Sequence, residues 1–281
     1  MLAALRPPLI SLLATLALVL SVLSPPAHAA DQARLRAYLE VTGFDVALES
    51  IRLSADNAPA MLGIEADAFG SEWSRLVKDI FATDLMNDMA LEILGKTLSD
   101  DLLTHAADFY ASDLGQRLVA VENDSHMIEE EGLKSEDGGA IVDGLERIDS
   151  PRITLLRQLI DATDADGASL KAIQEVQVRF LMAAAGAGVI ELRMDEADLR
   201  EAMRGQEDEL RAAIADSALR NAAYTYQAFS DDEIATYTDA LEDPRMQKVY
   251  ALMNAVQYEI MANRFEAVAA RLSHMQPSTD L

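Results

Sequence analysis

Cysteine is absent from the chain of 281 residues. No disulfide can staple the fold, no thiol can act as a nucleophile, and no lipid-modified N-terminal cysteine can anchor the protein. Positive charge is scarce: 23 Lys and Arg stand against 48 Asp and Glu, for a formal charge of −25. Phosphate backbones and anionic lipid surfaces are bound through clustered Lys and Arg, so this balance excludes nucleic acid as a partner and argues against docking on acidic membranes. Aromatic residues make up only 5% of the chain, and the prolines fall at the edges of periodic segments. Sustained β-branched alternation is missing, which argues against sheet structure. So are a Gly-x-Ser-x-Gly elbow and a glycine-rich phosphate loop, and the four histidines are scattered.

Long apolar runs are few. The first is Leu9 to Leu23, interrupted only by Ser11, Thr15 and Ser21. Arg6 precedes it, Pro25-Pro26 ends it, and Ala27-His28-Ala29 supplies the small residues of a processing site. This is the layout of a cleaved secretory signal peptide over residues 1–29, and it predicts a periplasmic or secreted protein. Cleavage removes one arginine and no acid, leaving the mature chain at −26. The most apolar later stretch, Phe180 to Ile190, is bounded by Arg179 and Glu191 and is too short to span a bilayer. No integral membrane protein is expected after cleavage.

What is there is helical. Apolar residues recur at three- and four-residue spacing nearly throughout, among Ala, Leu, Glu and Arg, all good helix formers. The last helix is expected from about Arg245 to His274, with Met246, Val249, Met253, Val256, Ile260 and Val268 on its buried side. Ser230-Asp-Asp-Glu233 reads as a capping box, Asp243-Pro244 as a cap followed by a first-turn proline, and Ser99 and Ser112 as further caps. Ala58-Pro59 reads as an interruption, and Glu65 to Phe81 as a helix.

Two stretches align without a gap: 98–118 and 229–249 share Ser99/Ser230, Asp100/Asp231, Asp101/Asp232, Asp108/Asp239 and Gln116/Gln247. Tyr38 to Thr42 and Leu159 to Thr163 form a second, weaker match. The expected architecture is therefore an all-α helical bundle of two pseudo-repeated units, residues 30–131 and 150–281, behind the signal peptide. The polar, glycine-rich segment from Gly132 to Gly144 marks 132–149 as a linker or bridging helix.

The first copy carries Phe109-Tyr110-Ala-Ser112-Asp-Leu-Gly115-Gln116-Arg117 after Leu98-Ser-Asp-Asp, and Leu39 to Gly43 ends in Thr-Gly. With these motifs the chain resembles the exported, mostly helical bacterial family catalogued as domain of unknown function 2059. The resemblance implies an envelope location and a helical fold, with no established activity. The second copy departs from it, with Ala240-Leu241 for Phe-Tyr and Met246 for Gly. Phe109, Tyr110, Ser112, Gly115, Gln116 and Arg117 are the binding candidates. They also have a purely structural reading: buried rings, a cap, a glycine that lets another backbone approach, and polar groups tying the turn.

Asp101, His105 and Asp108 share a helix face and form a candidate metal site, which the second copy does not keep because Thr236 replaces His105. Asp161 to Gly167 resembles a calcium loop but puts Ala162 and Ile173 where acids are needed, so a helix junction is the better reading. No cofactor is called for and no enzyme is expected. The reading that fits is a non-enzymatic binding or interaction module, its partner an unknown protein or an apolar small molecule. An alternative is a carrier or sensor of an apolar ligand with Phe180 to Ile190 lining its cavity; a hydrolase with unrecognised carboxylate chemistry comes third.

Overall fold

A computed structural model describes residues 32–55, 58–64, 71–129, 131–164 and 167–274. The expected signal peptide lies outside these residues, as do Glu130, Asp166 and the first six residues of the helix expected from Glu65. The described residues are all-α. In chain order they form α1 (Gln32–Thr42), α2 (Phe44–Ser54), α3 (Ala58–Met61), α4 (Ser71–Ile80), α5 (Thr83–Thr97), α6 (Asp100–Tyr110) and α7 (Asp113–His126). There follow α8 (Glu131–Arg147), α9 (Arg152–Thr163), α10 (Ala168–Gly186), α11 (Glu196–Arg204), α12 (Glu207–Thr225), α13 (Asp231–Glu242) and α14 (Pro244–Leu272).

Helix α14 is the spine. Its 29 residues extend about 44 Å at 1.5 Å per residue, and every residue expected on its buried side is buried. It packs most extensively on α10 and also meets α4, α5, α6, α9 and α13. One contiguous apolar core runs from Leu35 in α1 to Leu272 at the end of α14. The stretch from Phe180 belongs to this core: Phe180 and Ala184 are fully buried, and the Phe180 ring meets Phe265 edge-on at 5.2 Å. Its small residues let α10 lie close to α14, where Arg179 bridges Glu259 and Glu266 with contacts of 2.7 Å each.

Several helix boundaries follow the capping chemistry. Ser230 accepts from the Glu233 amide, and the Glu233 carboxylate accepts from the Ser230 amide at 2.8 Å. That carboxylate is held down to about 2 by the Ser230 amide and by Arg117. Asp243 accepts from the Arg245 amide, with Pro244 as the first helical residue of α14. Ser230→Ala leaves the Glu233 amide without its cap and is expected to lower stability by about 1 kcal/mol in urea unfolding; a midpoint unchanged from wild type would show that water replaces the cap at no cost.

Two expectations need correction. Ser99 makes no cap bond to an amide; its hydroxyl donates to the Asp101 carboxylate at 2.5 Å. Ala58-Pro59 opens the short helix α3, because proline is tolerated in a helix's first turn. Of the linker or bridging helix expected over 132–149, the structure forms a helix: Gly132 to Gly144 lies in α8, packed along α12. Gly138 and Gly139 serve contact: a Cβ at Gly138 would lie 2.3 Å from the backbone oxygen of Arg220.

Candidate functional site

Helices α6 and α7 meet at the corner singled out by the motif. Ser112 caps α7 by accepting from the Gly115 amide at 3.1 Å. Gln116 turns back and donates to the Tyr110 carbonyl at 2.7 Å. Arg117 reaches the other sequence copy: it pairs with Glu233 and lies over the Phe229 ring, 5.3 Å from its centre. Phe109 stacks on Tyr237 of α13 at 5.8 Å and 7°. The α6–α7 corner is thus clasped to α13, and the clasp aims Tyr110 inward.

Tyr110 is buried, and its hydroxyl meets those of Tyr237, at 3.2 Å, and Tyr250 of α14. Tyr237 and Tyr250 are 2.9 Å apart. The chain of hydroxyls ends on Glu122, on the inner face of α7 one turn after Leu118. Its Oε1 accepts from Tyr226 at 2.7 Å and from Tyr237 at 3.0 Å. Tyr226 is held in place by Arg152, whose guanidinium donates to the Tyr226 carbonyl at 2.7 Å and the Phe229 carbonyl at 2.8 Å while pairing with Asp231. Four helices and the turn just after α12 therefore deliver one side chain each to a single cluster.

The cluster floors a cavity of about 510 Å³. Five of the seven tyrosines line it: Tyr38, Tyr110, Tyr226, Tyr237 and Tyr250. The walls mix apolar side chains (Phe44, Leu159, Ile160, Met253) with neutral polar ones (Asn123, Asn221, Thr163, Asn254). His126 and Lys134 also line it, and Lys134 Nζ donates to the Ser125 carbonyl at 3.1 Å. A smaller cavity of about 390 Å³ shares Thr163, Tyr250 and Asn254 with it, and the Asn254 amide bonds the Thr163 carbonyl at 3.1 Å in the shared wall.

Electrostatics single out Glu122. Burial pushes its carboxyl up to about 7 against the opposing effect of the Tyr226 and Tyr237 hydrogen bonds. Burial likewise raises the four phenols around it, so they stay neutral donors and acceptors. Among the described residues no Lys, Arg or His forms an ion pair with Glu122, and its Oε2 takes no hydrogen bond from them.

Of the motif residues, only Tyr110 lines the cavity; Phe109, Ser112, Gly115, Gln116 and Arg117 build and clasp the corner behind it. Asp101, His105 and Asp108 are not drawn together. Asp101 is exposed, Asp108 is exposed, and His105 faces Asp243 with Nε2 at 3.5 Å. Among the described residues no group of three or more His, Asp or Glu side chains is placed to hold a metal ion. Asp164 of the calcium-like segment caps α10, accepting from the Ala168 amide at 2.9 Å. No residue of 180–190 lines either cavity.

Glu122, Tyr226, Tyr237 and Tyr250 were not singled out from sequence. The available signal was an acid in the apolar register of α7, between Leu118 and Ser125, in a chain with few tyrosines.

The profile of a bacterial family described as "Uncharacterized protein conserved in bacteria (DUF2059)" matches residues 84–132. The matched segment spans α5, α6 and α7 and so contains Tyr110 and Glu122, while the other tyrosines of the cluster lie beyond it. No curated protein and no solved structure matches the chain.

Proposed function

We propose that the protein is an exported, non-enzymatic binding protein of the cell envelope, built from two related helical units that enclose a small-molecule site between them. The observation that carries this reading is the cavity floored by Glu122 and the tyrosine hydroxyls. Ligand sites are concave, largely preformed, and combine apolar walls with a few convergent polar groups, at volumes of roughly 300–1,000 Å³. The mixed lining favours an amphipathic ligand over the purely apolar one of the carrier alternative. A surface interaction module has less support: the large apolar side chains exposed among the described residues are Leu85, Leu133, Ile148 and Met194, spread over α5, the two ends of α8 and the segment before α11. The leader-like segment and the strongly acidic mature chain support the location.

The test is native mass spectrometry of mature protein purified from its own host, beside Ala218→Trp, which places an indole into the cavity from α12. The expected result is a small organic adduct on the wild type and none on the folded variant. Adduct-free wild-type protein, or an adduct that survives in Ala218→Trp, would count against a cavity ligand.

A second reading, acid–base catalysis by Glu122, has its titration near neutral pH in its favour. The phenols facing it are engaged with one another and with Glu122, which suits a recognition cluster better than proton delivery.

A further inference from the structure

A carboxylate enclosed by protein is costly to ionise unless a cation or several donors compensate it. Elsewhere in this protein the half-buried acids that contact charge are matched, as Glu266 is by Arg179 and Glu175 by Arg200, both at 2.7 Å. Glu122 differs. Its protein partners are two phenols, both on Oε1; among the described residues none donates to Oε2, and the residue lines the cavity. Tyr110, Tyr226, Tyr237 and Tyr250 line the same cavity, and a neutral phenol ring adds an attractive face for a cation. The chain's large negative charge also draws cations toward any cleft on its surface.

Resting on the binding reading above, we infer that the cavity ligand carries an amine, whose ammonium group seats against Oε2 of Glu122 while its body lies along the Leu159–Ile160–Met253 wall. Burial holds the carboxyl up to about 7, so without a cation beside it part of it keeps its proton at neutral pH. Seating an ammonium ion favours the carboxylate, so binding releases a proton from Glu122 to solvent. The other titratable groups facing the cavity are Tyr38 from α1, Tyr110 from α6, Tyr226 after α12, Tyr237 from α13, Tyr250 from α14, His126 from α7 itself and Lys134 from α8. The phenols stay neutral across the working range. Lys134 is the cationic group that would repel an ammonium ion, and its Nζ is drawn to the Ser125 carbonyl.

Calorimetric titration of the mature protein with matched pairs tests the idea: hexylamine against hexanol, 2-phenylethylamine against 2-phenylethanol, and 1,5-diaminopentane against 1,5-pentanediol. At pH 7.5 at least one amine is expected to bind tenfold or more tightly than its alcohol. Proton release should show as a buffer-dependent heat, and the preference should shrink at pH 5.5, where Glu122 is protonated. Glu122→Gln should abolish the preference while leaving alcohol binding intact. Equal or tighter binding of the alcohols, no binding by any amine, or a preference that persists in Glu122→Gln overturns the inference. Alcohol binding that Ala218→Trp blocks would leave the cavity reading standing while the amine fails; an adduct-free native protein that binds neither member of any pair removes both.

Discussion

Gly115→Ala is expected to destabilise the protein by about 3 kcal/mol or more, although in an exposed helix the same exchange stabilises by about 1 kcal/mol. The reason is the corner between α6 and α7. A Cβ on Gly115 would stand 2.3 Å from the Phe109 carbonyl oxygen, 2.6 Å from the Tyr110 Cα and 2.8 Å from the Tyr110 carbonyl oxygen. All three are backbone atoms, so no rotamer change relieves the clash. Overpacking of this kind costs about 1–3 kcal/mol, and displacing Gly115 also breaks the Ser112 cap, worth about 1 kcal/mol more. Against a typical total stability of about 5–15 kcal/mol the loss is large. Urea unfolding followed by circular dichroism measures it, and the sign decides: a raised midpoint would mean that the corner opens freely and that helix propensity dominates. The aligned corner of the second sequence copy makes the contrast. There a buried Met246 occupies the place of Gly115, and the capping residue Asp243 has ψ 128° where Ser112 has 162°.

The parts of the fold that follow from local physics were legible in the sequence. The buried stripe of α14, the Ser230 capping box and the Asp243-Pro244 start each depend on residues a few positions apart. The corner motif also drew notice, since Phe109 to Arg117 lie together in the chain. Two kinds of feature were hidden. The first is ambiguity of composition. Gly138 and Gly139 sit in a polar, glycine-rich segment that suits a linker, yet a tight helix crossing needs the same small residues, and only the position of Arg220 tells them apart. The second is distance. Glu122 is one of 48 acids, and its partners Tyr226 and Tyr237 lie 104 and 115 residues away. Its register with Leu118 placed it on the inner face of α7, but nothing local said that five tyrosines would surround a cavity there. The candidate site was therefore visible only at Tyr110, the one cluster member inside the motif.

Stability should fall as pH rises through neutrality, and Glu122→Gln should remove most of that fall. In the unfolded chain Glu122 titrates near its ordinary 4.5, whereas in the fold burial holds it near 7. Between these values the folded protein keeps a proton that the unfolded chain has lost. The stabilisation is thus complete below about 4.5 and is lost as pH climbs through 7. Displacement of this size corresponds to about 3 kcal/mol, trimmed toward 2 where water enters the cavity and solvates the carboxylate. Glu233 and Asp243 work in the opposite direction. Each is held down to about 2, Glu233 by the Ser230 amide and Arg117, Asp243 by Arg245. Their support is present above their ordinary values and is lost only as pH falls toward 2. Greatest stability is therefore expected at about pH 4.5 to 5. Thermal and urea unfolding at pH 5 and pH 8 test this: Glu122→Gln should match wild type at pH 5 and exceed it by about 2–3 kcal/mol at pH 8, since the amide can still accept from Tyr226 and Tyr237 without carrying charge. A difference that does not change with pH would remove Glu122 from the folding-linked protonation. The penalty at pH 8 also has a functional meaning, because a carboxylate left uncompensated in the cavity is where a cationic ligand would return the most stability on binding.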